Sequence, residues 1–214
     1  MVVPPVPTPP VLDKKDVLAR LPRLPSVVLE LGCGASKRDP GAIGIDARDL
    51  DGVDIVGDVF DALGLFPDGS VDAVASYHFF EHVDDLTRLV AELARVMKPQ
   101  ARLTIVVPHF SNPYFYSDHT HRRFFGLYTF CYLARSALFR RDVPTYGAAL
   151  PFEVEDVDLG FKSTRPFYVR HAIKRALGTV FNAGRWTQEL YEENFCWLFP
   201  CYEVRYTLRR IASP

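Results

Sequence analysis

A glycine turn between two apolar runs is the part of this sequence with the clearest chemical potential. Residues 27–31 are apolar apart from Glu30, Gly32-Cys33-Gly34 follows at once, and a second short apolar run ends at Asp46. Glycines lack Cβ atoms, so the backbone can turn tightly and a ligand can approach it closely. An aspartate at the end of the next strand can accept hydrogen bonds from both hydroxyls of a ribose. The pattern therefore predicts a nucleoside site.

The spacing of the same stretch argues against a dinucleotide. A dinucleotide fingerprint has a third glycine and an acid roughly twenty residues further on. Here Lys37 stands at the third-glycine position, and Asp46 follows Gly34 by only twelve residues. Residues 30–72 contain ten acidic side chains against three basic ones. Such a field repels a pyrophosphate and suits a cationic ligand. S-adenosylmethionine has a ribose, a sulfonium and no phosphate, and it fits these conditions.

An ordered series of motifs resembles the class I S-adenosylmethionine-dependent methyltransferases. The resemblance covers roughly residues 26–110, and its short link from Gly34 to Asp46 is similar to enzymes of small-molecule and polysaccharide biosynthesis. The motifs that carry it are Leu29-Glu30-Leu31-Gly32-Cys33-Gly34, Gly44-Ile45-Asp46, Gly57-Asp58, Phe66-Pro67-Asp68-Gly69-Ser70-Val71-Asp72, Glu81-His82-Val83, Arg95-Val96-Met97-Lys98-Pro99 and Arg102-Leu103-Thr104-Ile105-Val106-Val107-Pro108.

The resemblance and the hydrophobic pattern together predict an α/β fold. We expect a Rossmann-like seven-stranded sheet that is mostly parallel, with an antiparallel last strand. Residues 1–25 are expected to form a proline-rich arm and a short helix near 13–21 that Asp13 caps, and residues 26–214 the methyltransferase domain. A helical insertion at about 165–199 is expected between strands six and seven. The strands are predicted near 27–31, 42–46, 54–58, 72–77, 102–107, 152–161 and 202–208, with helices over 84–98, 124–139 and 171–181.

The family resemblance also implies which residues hold the cofactor. Asp46 is expected to bind the ribose, and Asp58 the adenine amine with Val59 against the ring, unless Asp58 only caps a turn. The methionine end is expected to cross the glycine turn, with Glu30 either binding its amino group or supporting the turn. Tyr77 and His78 are expected beside the departing methyl group. The predicted cofactor-binding residues are Glu30, Gly32, Cys33, Gly34, Asp46, Asp58, Val59, Tyr77 and His78.

A long aromatic, histidine-rich stretch over residues 108–125 follows the fifth predicted strand. Open α/β sheets place their substrates at this edge, and a loop of this length is typical of a lid or binding loop. A histidine there could accept a proton as a hydroxyl or amine attacks the methyl carbon. His121 is the first candidate and His109 the second. In the alternative reading the histidines only hydrogen-bond the loop together.

Metal chemistry is a weaker alternative at the same place. His78-Phe79-Phe80-Glu81-His82 has the H-x-x-E-H spacing of a zinc hydrolase, and three loop histidines could also bind zinc. A hydrolase needs this spacing inside a helix, whereas here it straddles the end of a predicted strand. The methyltransferase motifs already account for the segment, so no metal is expected.

The whole-chain composition limits the remaining function classes. The 214 residues carry a formal net charge of −1, which gives no sign of a nucleic-acid or membrane partner. Four scattered cysteines and no evident signal peptide predict a cytoplasmic protein. We expect methyl transfer to an oxygen or nitrogen of a small molecule or sugar. The arginines between residues 122 and 141 would suit an acceptor that is anionic. The alternative is an inactive scaffold. The insertion is expected to wall the substrate pocket, to form a homodimer surface or to pack as core.

Overall fold

The computed structural model describes residues 10–146 and 149–212. The predicted extended arm over residues 1–10 therefore lies, apart from Pro10, outside the described residues. In the described part, no helix combines the length and apolar character needed to cross a membrane.

Nine strands of the described chain form one sheet in the order β1-β4-β3-β2-β5-β6-β9-β8-β7. Five neighbouring strands, β4, β3, β2, β5 and β6, are parallel to one another. Strand β9 is antiparallel to both of its neighbours, β6 and β8. The predicted seven-stranded sheet with an antiparallel last strand is confirmed. The strands are β1 Leu12–Asp13, β2 Val28–Leu31, β3 Ile43–Asp46, β4 Ile55–Val56, β5 Val71–Tyr77, β6 Met97–Pro108, β7 Ala134–Arg135, β8 Leu150–Gly160 and β9 Glu203–Arg210.

The two additional strands, β1 and β7, are two-residue strands at opposite edges of the sheet. They are too short to produce an alternating pattern that sequence reasoning could detect. The central strands are apolar because both faces are covered: Leu29, Leu103 and Ile105 have no exposed side-chain surface. Their carboxyl ends leave a crevice beside β2, where the strand order reverses.

Five helices of the described chain cover the sheet. They are α1 Val17–Arg20, α2 Val59–Gly64, α3 Leu86–Val96, α4 Tyr168–Phe181 and α5 Arg185–Asn194. The Asp13 carboxylate accepts hydrogen bonds from the Val17 and Leu18 N–H groups, both at 2.9 Å, so it satisfies the start of α1, although the N-cap position is held by Asp16 and not by Asp13 as predicted. The helix itself is shorter than predicted because Asp13 belongs to β1.

The helix predicted over 124–139 is wrong. Residues Thr129–Tyr132 form a single 3-10 turn, and Ala134–Arg135 is strand β7. Phe125 and Phe130 are fully buried against Tyr206 of β9, so their spacing reflects packing on the sheet and not one helix face. The insertion holds two helices where one was predicted. Helix α5 was missed because its only buried side chains are Gln188 and Tyr191.

Candidate functional site

The glycine turn after β2 has the backbone that only glycine adopts easily. Gly32 has φ +65° and Gly34 has φ +59°. A Cβ atom on Gly32 would lie 2.5 Å from the Cβ of Phe79, which is closer than real contacts allow. The Gly32 N–H donates to the Ile45 carbonyl at 2.8 Å, which fixes the turn against the end of β3. The turn is therefore tight and close to its neighbours.

Asp46 ends β3 directly beside this turn. One carboxylate oxygen accepts from the Gly34 N–H at 2.9 Å, and the other accepts from the Arg48 N–H at 2.9 Å. Each oxygen retains a second acceptor direction. The side chain is 11% exposed, so it can still meet a ligand. The backbone of the glycine turn thus orients the Asp46 carboxylate, and a ligand at this site would lie against the same turn.

A cavity of about 190 Å³ opens at this edge of the sheet. Four of the predicted cofactor-binding residues line it: Gly32, Asp46, Asp58 and Val59. Asp58 also caps α2, since its carboxylate accepts from the Phe60 N–H at 2.9 Å. The remaining lining residues are Ile45, Ala47, Gly57, Phe60, Phe79, His82, Val83 and Asp84.

Glu30 and Cys33 do not line this cavity. Glu30 is buried, and its carboxylate accepts from the backbone N–H groups of Arg38 and Asp39 at 2.9–3.2 Å. It therefore holds the loop that follows the turn. The Cys33 thiol is packed against Gly44, where an added Cβ would lie 2.7 Å from the sulfur. Burial and the nearby Asp46 raise the pKa of Cys33 to about 11, so the thiol is neutral.

Tyr77 and His78 stand at the end of β5. The Arg38 guanidinium lies 3.9 Å from the centre of the Tyr77 ring. His78 has φ +56°, and its Nε2 is 3.3 Å from a carboxylate oxygen of Glu203 while its Nδ1 is 3.5 Å from Glu81. Glu203 and then Glu81 raise the pKa of His78 to about 9, so the imidazole is protonated at neutral pH.

The two candidate bases occupy different environments. His109 has no exposed surface, and both ring nitrogens are engaged, Nδ1 at 2.8 Å from the Ser111 hydroxyl and Nε2 at 3.1 Å from Glu192. His121 donates from Nδ1 to the Phe115 carbonyl at 2.9 Å, and its Nε2 lies 3.6 Å from an Asp118 carboxylate oxygen. The His121 ring lies 4.9 Å from that of His82, which lines the cavity. The structure thus brings His121, and not His109, to the cavity edge.

Two arginines of the predicted basic margin attach the loop after β6 to the segment after β5. Arg122 pairs with Asp84 at 3.0 Å, and Arg123 donates to the carbonyl groups of Val83 and Asp84. The Arg141 guanidinium lies 5.4 Å from the centre of the Tyr128 ring.

A second, more basic pocket of about 320 Å³ was missed by sequence reasoning. It is lined by Lys162, which follows β8, and by Arg170 and Lys174 of α4, together with aromatic and apolar side chains. Lys162 donates to Glu203 at 2.6 Å, and the same carboxylate meets His78. Lys162 lies outside the helix that holds Arg170 and Lys174, so sequence spacing alone does not bring the three residues together.

Comparison with known proteins points to one family. Residues 35–105 match the family model for a methyltransferase domain. A search of curated proteins found no match.

Three solved structures resemble the fold at low sequence identity. An S-adenosylmethionine-dependent methyltransferase from Archaeoglobus fulgidus has a TM-score of 0.53 at 20% identity, over 92% of this chain and 94% of that one. The 16S rRNA (adenine(1408)-N(1))-methyltransferase from Catenulisporales acidiphilia has a TM-score of 0.50 at 18% identity, over 95% and 97%. Phosphoethanolamine N-methyltransferase 2 from Haemonchus contortus has a TM-score of 0.50 at 13% identity, over 92% of this chain and 52% of that one. The matched domain and the solved structures thus agree that the chain has the fold of a methyltransferase domain.

Proposed function

We propose that this protein transfers a methyl group from S-adenosylmethionine to a small acceptor that carries a negative charge. The observation that supports donor binding most directly is the Asp46 carboxylate, which is held by the Gly34 N–H at the mouth of the 190 Å³ cavity. This arrangement suits a ribose on Asp46 and an adenine between Val59 and Phe79. Two of the solved proteins with a similar fold, the methyltransferases from Archaeoglobus fulgidus and Catenulisporales acidiphilia, are described with S-adenosylmethionine, which supports this donor.

The methionine end would cross the Gly32–Gly34 turn toward Tyr77 and His78. Glu30 would act through the loop that it supports, and Cys33 would contribute its backbone, because its side chain is packed away from the cavity. In the reaction, a lone pair on the acceptor attacks the methyl carbon, the carbon–sulfur bond breaks, and the sulfur leaves as a neutral thioether. Since the sulfonium is already activated, alignment and exclusion of water supply most of the acceleration.

The acceptor class is argued from the basic pocket. Lys162, Arg170 and Lys174 present three cationic side chains around an otherwise apolar and aromatic space. Burial lowers the pKa of Lys174, which marks the cost of leaving this ammonium without an anion. Glu203 links Lys162 to His78, so the pocket adjoins the end of β5 where the methyl group would be released. A carboxylate or phosphate on the acceptor would complement this charge. The Nε2 atom of His121 is the proposed proton acceptor.

Calorimetric titration with S-adenosylmethionine tests the donor site. Asp46→Ala removes the ribose acceptor, and a hydrogen bond to a charged group contributes about 1.5–3 kcal/mol, so affinity should fall at least about tenfold. Asp51→Ala, which removes an exposed acid a few residues away, is the matched control and should bind normally. Unchanged affinity in Asp46→Ala, or no binding to the wild type, would overturn the proposal. Donor binding without any methyl transfer would instead favour the scaffold alternative.

A further inference from the structure

Three potential metal ligands meet at the edge of the cofactor cavity. Glu81 and His82 lie in the single 3-10 turn Phe80–His82 after β5, and His121 comes from the loop after β6. One ligand atom from each of the three lies within 4.8 Å of the others. The Arg122 N–H donates to the Glu81 carbonyl at 2.8 Å, so a backbone hydrogen bond holds the loop against the turn. The cluster is thus positioned by main chain.

Glu81 is the unusual member of this cluster. Its side chain is fully buried, and neither carboxylate oxygen has a hydrogen-bond partner in the described structure. His78 Nδ1 lies 3.5 Å from one oxygen and supplies a positive charge nearby, but it makes no hydrogen bond. A buried carboxylate that accepts no hydrogen bond is costly, because the nearby charge of His78 offsets only part of its desolvation. A bound cation would offset the rest.

Both histidines are held in the tautomer that a metal requires. The Thr120 hydroxyl lies 2.6 Å from an Asp118 oxygen, a contact between two oxygens that needs the hydroxyl proton. Thr120 therefore accepts at 2.9 Å from His82 Nδ1, and the lone pair of His82 lies on Nε2. His121 donates from Nδ1 to the Phe115 carbonyl and likewise keeps its lone pair on Nε2. Metal-bound histidines usually have such a partner on the second ring nitrogen.

We propose that Glu81, His82 and His121 bind a divalent transition metal of the Zn²⁺ type, with an open coordination position toward the cofactor cavity. Two imidazoles and one carboxylate form a known ligand set of zinc sites with an open position. Ligand atoms on a tetrahedral Zn²⁺ lie roughly 3.4 Å apart for metal–ligand bonds of about 2.1 Å, so these side chains must approach one another by up to about 1.4 Å. In the metal-bound form His121 is a ligand and no longer a free base. His78 is not part of this set, which distinguishes the site from the H-x-x-E-H reading.

The test is metal binding by the full-length protein, without any methyl donor. The protein is treated with a chelator, dialysed and titrated with Co²⁺, whose visible absorption reports coordination, and with Zn²⁺ by calorimetry. We expect one ion per chain, and we expect His82→Ala and His121→Ala to weaken binding at least about tenfold. His119→Ala removes an exposed histidine of the same loop and should bind like the wild type. Because this readout needs neither donor nor acceptor, its outcome is independent of the proposed methyl transfer.

Glu81→Gln keeps the side-chain volume and removes the charge, so it separates ligand loss from misfolding. The variant should lose the metal and still unfold cooperatively without metal, because the amide keeps the side-chain volume and replaces a buried carboxylate that accepts no hydrogen bond. The proposal is overturned if the wild type takes up no stoichiometric ion. It is also overturned if binding survives both histidine substitutions, or if His119→Ala abolishes it equally.

Discussion

Glu203 offers the most quantitative prediction, because its charge is buried between two cations. It is the first residue of β9, and its carboxylate lies 2.6 Å from the Lys162 ammonium and 3.3 Å from His78 Nε2. Burial alone would raise the pKa of Glu203. The hydrogen bonds from His78 and Lys162 outweigh that effect and lower the pKa from its ordinary 4.5 to about 2.

The stability that follows from this pKa has a definite sign and pH window. A carboxylate with a lowered pKa in the folded state stabilises that state above the unfolded pKa of 4.5, and the stabilisation is lost as the pH falls toward 2. The difference between the two pKa values corresponds to about 3 kcal/mol at about 1.4 kcal/mol per unit. About 2 kcal/mol of this is lost between about pH 5 and pH 3. His78 is protonated in both states over this window, so its contribution is constant there.

The assay is urea unfolding of the wild type and of Glu203→Gln at several pH values between about 3 and 7. Other carboxylates also titrate in this range, so the difference between the two proteins is the quantity to follow. The stability advantage of the wild type should shrink by about 2 kcal/mol from about pH 5 to pH 3. Lys162→Met removes one of the two cations and should show a smaller part of the same acid dependence. A difference that stays constant with pH would refute the assignment of Glu203 as a carboxylate held ionised by its partners.

Two further predictions test the donor turn and the basic pocket. Gly32→Ala should weaken S-adenosylmethionine binding at least about tenfold in calorimetry, because the new methyl group meets Phe79 beside the cavity. Gly69→Ala has the same positive φ with no atom nearby, so it is matched in backbone strain and should bind normally. Inorganic phosphate should bind the wild type in a salt-dependent titration and bind Arg170→Ala more weakly. Arg175→Ala, on the exposed side of α4, should bind phosphate like the wild type. If Arg170→Ala and Arg175→Ala weakened phosphate binding equally, an anion site in the pocket would be contradicted.

The part of the fold that could be predicted is the part with strong local patterns. The central strands are nearly continuous apolar runs with both faces covered, and such runs are visible in a sequence. Helix α3 was predicted to start at Asp84; the structure starts it at Leu86 with Asp85 as its cap. It ends at Val96, before the predicted stop at Lys98-Pro99, since β6 follows without a loop. The incorrect predictions lie where tertiary contacts determine the secondary structure, as in the aromatic stretch around Phe130.

The residues of the candidate site were predictable for the same reason: those that depend on local sequence could be found, and those that depend on tertiary contacts could not. Asp46 and the two glycines lie close together in the sequence. One turn and the ends of two adjacent strands are enough to bring them to the same cavity. The basic pocket depends on side chains from the segment after β8, from α4 and from the loop before β9, and no spacing rule connects these three segments. Glu81 appeared in the sequence only as part of a motif, because the lack of a hydrogen-bond partner becomes visible only when its neighbours are placed. His109 was predicted as a base from its position in the loop. In the structure it is completely buried beside Glu192, which the sequence alone does not reveal.

The antiparallel last strand explains why the proposed acceptor pocket is separate from the proposed donor site. Parallel strands bring only their carboxyl ends to the functional edge, and β2, β3 and β5 contribute the donor turn, Asp46 and His78 in this way. Because β9 runs in the opposite direction, its first residue, Glu203, reaches that edge, while β8, antiparallel to β9, ends there before Lys162. The chain between β8 and β9 must therefore begin and end at the functional edge. This topology places α4 over the pocket, so changes in the insertion should alter the acceptor that is used while donor binding stays with β2 and β3.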